Sequence, residues 1–364
     1  MQYINRQPTA ARAVTEEIYT PKHSFNDFNL EAALLKNIAM ARLAAPTPIQ
    51  DEVIPHVLAR HDVVGLANTG TGKTAAFLIP LVNMTMRESR RETLILTPTR
   101  ELAIQIEQEL KTLSRGIRMY STLCVGGTAL LPQIRGLRQK NHFVIGTPGR
   151  VLDLIRRGVF KTGLVTTVVL DEADRMLDMG FIHDIRKILS GVPKERETLF
   201  FSATMSKNIE TLIADFSRKP ITISVKKKDT VDNIEQDVIR CRGKEKFALL
   251  TDLLFQKECT RVLVFGAMKH SVERLSKQLN AKGIAAESIH GNKSHSQRQR
   301  ALKRFKENAV RVLVATDVAA RGLHIDNVSH VLNYDLPQTY EDYIHRIGRT
   351  GRGKERGKAL SFVE

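Results

Sequence analysis

Apolar positions along the chain follow two alternating periods. Short runs rich in β-branched and aliphatic residues recur: "DVVGLA" (62–67), "TLILTP" (93–98), "FVIGTP" (143–148), "TVVLDE" (167–172) and "TLFFSA" (198–203). Helical spacing lies between them, as in "RELAIQIEQELKTL" (100–113), where Leu102, Ile106 and Leu110 share one stripe. Strands that are apolar on both faces and alternate with helices predict a parallel sheet covered on both sides. The pattern pauses at the polar, basic stretch "SVKKKDTVDN" (224–233), whose centre, 226–232, reads as a linker. It then resumes with "RVLVFG" (261–266), "AESIHG" (286–291), "VRVLVATD" (310–317), "HVLNYDL" (330–336) and "KALSFV" (358–363). The expected organisation is α/β with two tandem domains, 25–225 and 233–364, after an aperiodic arm at 1–24 that is expected to be flexible.

Composition adds a partner and removes several classes. Of 364 residues, 42% are hydrophobic and 26% charged, the balance of a globular chain with a core. No apolar segment approaches the roughly 18 residues needed to span a bilayer, and the N-terminus has no apolar signal region. A cytoplasmic protein is the expectation. The 56 Lys+Arg exceed the 39 Asp+Glu, and the net charge of +17 predicts attraction to a polyanion. Cys124, Cys241 and Cys259 are far apart, which supports neither a zinc site nor a disulfide framework. Aromatic residues make up 5% and Trp is absent, so a nucleic acid would be held by its backbone more than read by base stacking.

Candidate chemistry begins at "ANTGTGKT" (67–74), between a strand and a helical run. That is the context of a phosphate-binding loop. Gly70 and Gly72 let backbone N–H groups approach phosphate oxygens at a helix N-terminus. Lys73 would reach the outer phosphates, and Thr74 would ligate Mg²⁺. Ala67 stands where the general pattern has Gly; Thr69 and Thr71 complete the loop. A P-loop needs a carboxylate at the end of a neighbouring strand to hold the metal. In "TTVVLDEADRML" (166–177) Asp171 ends such a strand, and Glu172 is placed to orient or deprotonate water. The competing reading is that these acids cap the following helix, and it stays open for Asp174.

With "ANTGTGKT", "VLDEAD", "PTPIQ" (46–50), "PTRELA" (98–103), "GG" (126–127), "TPGR" (147–150), "SAT" (202–204), "ATDVAARGLHI" (315–325) and "HRIGRTGR" (345–352), the chain resembles the DEAD-box RNA helicases from Phe25 to Glu364. The resemblance implies two RecA-like domains, ATP and Mg²⁺ in the cleft between them, and RNA across both. It implies that Gln50, an amide able to donate and accept at once, selects adenine, with Phe25 above it; core packing is the alternative for Phe25. Arg346 and Arg349 become arginine fingers, supported by Arg352, while Lys354, Arg356 and Lys358 read as basic surface. RNA would lie on Pro98, Thr99, Arg100, Gly127, Thr147 and Arg150 in the first domain. In the second it would lie on Gly291, Gln297, Arg300 and Thr316, each of which also reads as a turn or cap residue. Asp317 is expected to contact the nucleotide or order its loop. Asp174, Ser202, Thr204 and His345 would couple hydrolysis to unwinding. Three places depart from the family pattern: Arg42-Leu43 for Gly-aromatic, Met268 for Thr and His324 for Asp. The reading is an ATP-dependent RNA helicase. The rivals are an ATP-regulated RNA clamp or annealing factor, and a P-loop NTPase indifferent to RNA.

Overall fold

The computed structural model describes residues 19–68, 70–225, 234–241, 245–320, 328–351 and 357–363. Thr69, the segment 226–232, His324, Arg352, Lys354 and Arg356 lie outside them, as does the arm through residue 18. The described residues fall into two compact units, one ending at Val225 and one starting at Ile234.

The first unit holds strands β1 (Val63–Ala67), β2 (Glu92–Leu96), β3 (Ser121–Cys124), β4 (Phe143–Gly146), β5 (Val165–Leu170), β6 (Glu197–Ser202) and β7 (Ile221–Val225). They form one sheet in the order β3-β4-β2-β5-β6-β1-β7, and every pairing is parallel. Consecutive residues of a strand enter opposite cores. Val63, Val169 and Phe201 join the cluster under the helices Pro48–Leu58, Lys73–Arg87 and Arg100–Leu113. Val64, Val168 and Phe200 join the cluster on the other face. This two-sided burial is why the strands read as continuous apolar runs.

The second unit repeats the plan with β8 (Ile234–Arg240), β9 (Val262–Phe265), β10 (Ala286–Ile289), β11 (Val312–Ala315), β12 (His330–Asn333) and β13 (Gly357–Val363), ordered β10-β11-β9-β12-β13-β8. All its pairings are parallel. Val262 and Val264 face one core, Leu263 and Phe265 the other.

Three strands were missing from the sequence pattern. β3, β7 and β8 are edge strands with partly exposed residues, and β8 carries Glu235, Gln236 and Asp237 among its seven positions. β7 runs through Val225, two residues into the stretch that read as linker. Residues 19–24, assigned to the arm, are held by Asp51 of the helix Pro48–Leu58. Its buried carboxylate accepts from the Tyr19 hydroxyl, from the Lys22 N–H at 2.7 Å and pairs with His23 Nδ1 at 2.7 Å. Those bonds hold the Asp51 carboxyl below the usual range against the opposing pull of burial. All three cysteines are buried free thiols. Among the described residues no helix is long and apolar enough to cross a membrane.

Candidate functional site

The C-terminal edge of the first sheet collects most of the predicted residues. β1 runs into the glycine loop, where Gly72 is left-handed at φ 91° and starts the helix Lys73–Arg87. A side chain at Gly72 would overlap the Gln50 amide, which donates from Nε2 to the Gly72 carbonyl at 3.1 Å. Gln50 Oε1 in turn accepts from the Thr47 N–H at 3.0 Å. The adenine-selecting candidate is therefore wired to the phosphate loop. Lys73 Nζ donates to the Ala67 carbonyl at 2.7 Å, and Thr71 Oγ1 to the Asn68 carbonyl at 2.8 Å, so the loop's own side chains close it. Phe25 is buried beside Phe28, ring centroids 6.3 Å apart, which is the core-packing alternative.

Asp171 ends β5, but β5 is not the direct neighbour of β1. β6 lies between them, so Ser202, Ala203 and Thr204 emerge between the glycine loop and the acids. Asp171 is 2% exposed, and burial pushes its carboxyl up to about 7, with the Lys73 ammonium pulling the other way. Its Oδ1 accepts from the Glu172 N–H at 3.0 Å. Glu172 is a left-handed residue, φ 52°, and its carboxylate is ion-paired with buried Arg175. Arg175 was not anticipated. Its position three after Glu172, on the same helical face, was the available signal. Asp174 turns away toward β6. Its Oδ2 accepts from the N–H groups of Ala203 (2.9 Å) and Thr204 (3.0 Å) and from Thr204 Oγ1 (3.3 Å), and Ser202 Oγ donates to the Thr204 carbonyl at 2.8 Å. His345 belongs to the helix Tyr340–Ile347 of the second unit.

No cluster of three or more His, Cys, Asp or Glu able to hold a metal occurs among the described residues. Of the three buried carboxylates of the acid run, Glu172 is paired with Arg175 and Asp174 is turned to β6, which leaves Asp171 and the half-buried Thr74 hydroxyl at the helix start as donors. Such a set fits Mg²⁺, which keeps waters and takes one or two protein oxygens plus phosphates.

On the other half of the same edge, Pro98, Thr99 and Arg100 follow β2, Gly127 follows β3, and Thr147 and Arg150 follow β4. Thr99 Oγ1 caps its helix by accepting from the Leu102 N–H at 3.3 Å. The Arg100 guanidinium lies over Gly127, which has φ 69° and no room for a Cβ. Arg150 Nη1 is buried with no hydrogen-bond partner among the described residues. Burial pushes the neighbouring Cys124 thiol up to about 12.

The two arginines of the second unit expected to act alike are both buried. Arg346 is 2% exposed. Its Nε and Nη2 meet Asp317 Oδ1 and Oδ2 at 2.6 and 2.7 Å, and Nη1 reaches Asn333 Oδ1 at 3.1 Å and the Asp335 carbonyl at 2.6 Å. The guanidinium also lies 4.9 Å over the Phe265 ring. Four bonds within its own unit suit a residue that holds the motif, and both Asp317 oxygens are engaged with it. Asn333 and Phe265, which build this pocket, went unnoticed in the sequence; a polar residue ending the buried strand "HVLN" was the signal. Arg349 is buried one helical turn on, where the helix ends. Gln297 forms a capping box with Ser294, its Oε1 accepting from the Ser294 N–H at 2.8 Å. Gly291 and Arg300 are exposed and Thr316 is buried.

A glycine loop at a strand-to-helix turn, a buried carboxylate two strands away and a second parallel sheet fit tandem RecA-like domains. Residues 47–212 match the family model described as DEAD/DEAH box helicase, and residues 245–354 that of the helicase conserved C-terminal domain. The DEAD-box ATP-dependent RNA helicase CshA of Bacillus subtilis is 47% identical over 342 residues, 93% of this chain and 69% of that protein. Among solved structures, Dbp5 of S. cerevisiae bound to RNA and ADP BeF3 superposes with TM-score 0.79 at 31% identity, covering 94% of this chain and 89% of that one. A DEAD box protein from Methanococcus jannaschii gives TM-score 0.55 at 41% identity, covering 93% of each chain. The chain belongs to the DEAD-box ATP-dependent RNA helicase family.

Proposed function

We propose that the chain hydrolyses ATP to separate short RNA duplexes, holding RNA by its backbone with no strong sequence preference, in a reducing, cytoplasmic setting. The observation that carries this is the sheet edge of the first domain: phosphate-loop, acid and backbone-facing motifs emerge side by side from six parallel strands.

In this reading Lys73 and the N–H groups of the loop Ala67–Gly72 hold the phosphates, and Gln50 pairs with adenine while bracing Gly72. Asp171 and Thr74 would hold Mg²⁺, which would supply charge neutralisation for the phosphates. A carboxylate buried as deeply as Asp171 is stabilised by a positive partner beside it. Glu172 orients the attacking water once Arg175 shares or releases it. Arg349 supplies charge to the γ-phosphate, a role worth about 10³–10⁵ in rate. Arg346 fixes Asp317 and the end of β12 so that Arg349 is presented. Asp174 transmits the state of the acid motif to Ser202 and Thr204, and His345 is its counterpart in the second domain.

RNA is gripped by Pro98, Thr99, Arg100, Gly127, Thr147 and Arg150, and in the second domain by Gly291, Gln297, Arg300 and Thr316. The unpaired Arg150 nitrogen supports a phosphate there, since a buried guanidinium atom without a partner is costly. The test is the ATPase rate without nucleic acid and with single-stranded RNA, duplex RNA or DNA. RNA alone should stimulate it, and Glu172→Gln should stop turnover. A rate indifferent to RNA would overturn the reading.

A further inference from the structure

Tyr120 immediately precedes β3, the edge strand of the first sheet, at the pole opposite the nucleotide motifs. Its ring stacks on His142, centroids 5.5 Å apart and planes 13° apart, yet the residue is 46% exposed. One ring face is therefore covered and the other is open. The support beneath it is rigid: His142 is buried, its Nδ1 accepts from the Tyr120 N–H at 3.0 Å, and its N–H donates to the Tyr120 carbonyl at 2.9 Å.

Exposed cations lie close by along the chain. Arg118 stands two residues before Tyr120, and Lys140 two before His142. Lys140 is near enough that its charge, after burial, helps lower the His142 pKa. Arg138 caps the helix Leu130–Leu137, and Arg115 lies in the turn leading to β3. Among the described residues none of these four is ion-paired. By contrast Arg60, Arg87, Arg157 and Arg186 each meet a carboxylate. In a chain with few aromatics, an open ring on a buried support, in a segment carrying unmatched cations, has the composition of a stacking platform for a strand of nucleic acid. β3 separates it from Gly127 by about 13 Å of strand, within reach of a strand leaving that motif.

We propose that Tyr120, with Arg118 and Lys140 beside it, is an accessory platform for single-stranded RNA outside the groove at Gly127, stacking one base while the cations hold the flanking phosphates. The proposal rests on the RNA-binding reading above. The test uses the full chain, a non-hydrolysable ATP analogue, and unstructured RNA of about 6 and about 20 nucleotides, within and beyond a single-fold site size. Tyr120→Ala should weaken the longer RNA about five- to 150-fold, as loss of one stacked base implies, and leave the shorter one unchanged. Tyr120→Phe should restore it. Joint Arg118→Ser and Lys140→Ser should flatten the salt dependence by a slope of about 1.4 for the longer RNA only. Photo-crosslinking of the unmodified protein to the longer RNA should label the Tyr120 peptide, whatever the variants do to folding. Equal weakening at both lengths, no weakening at either, or crosslinks confined to the Gly127 region would overturn the platform. A partner protein with an acidic segment would leave both RNA lengths unaffected and equally overturns it. Failure of the unmodified chain to bind the short RNA would instead overturn the RNA reading itself.

Discussion

Lysine at position 346 would keep the charge and lose the fork. Arg346 is 2% exposed and makes four hydrogen bonds between 2.6 and 3.1 Å, two of them to the Asp317 carboxylate. An ammonium is a point donor and can keep about two of the four. Each lost bond to a charged group costs about 1.5–3 kcal/mol. The Asp317 side chain is 27% exposed, so water replaces part of the loss. The net is about 2–4 kcal/mol, a large share of a domain's typical ~5–15 kcal/mol. For a domain of this size that corresponds to a fall of about 10 °C in Tm. Calorimetry of the full chain, with the second-domain transition followed, reads it. Arg349→Lys provides the contrast in rate: RNA-stimulated kcat should fall about 10³-fold or more. If Arg346→Lys melts like the parent and loses only kcat, Arg346 is a finger and the assignment to a holding role is wrong.

Three further outcomes follow from particular contacts. Asp174→Ala strands the part-buried N–H groups of Ala203 and Thr204, and should cost about 1–3 kcal/mol and lower duplexes separated per ATP hydrolysed more than ATPase itself; equal losses in both would refute the coupling role. Arg42 adopts φ 59° just past the helix Ala32–Met40, so Arg42→Gly should stabilise by about 1 kcal/mol, seen as a higher urea midpoint. Bonds from Ser288, then His290 and the Lys293 charge, hold the Glu273 carboxyl down at about 2 against an unfolded value of 4.5. Its contribution is present above 4.5 and lost as pH falls toward 2. Acid unfolding of Glu273→Gln should therefore be flatter over that window, and parallel curves would refute it.

The same contacts show how far the sequence reaches. Periodicity was enough for strands such as β1, β4, β9 and β11, because a strand buried on both faces stays apolar along its length. It failed for β3, β7 and β8, where edge exposure admits Ser121, Ser224 and Asp237. The departure at Arg42 was visible as a residue type; that it takes a left-handed turn was not. Gln50 and Gly72 are 22 residues apart, and only folding makes one amide brace the other's carbonyl.

By itself the sequence determined two parallel α/β units and the chemistry of the acid run Asp171, Glu172 and Asp174, because burial period and residue type are local properties. The tertiary structure alone decided which positive groups those acids meet and which way each carboxylate faces. β6, arriving from a distant part of the chain, sets Ala203 and Thr204 against Asp174. Asp317 and Asn333, from separate parts of the chain, close around Arg346. Hydrogen bonds between distant segments leave no period in the chain, so a motif names the participants while packing assigns their partners.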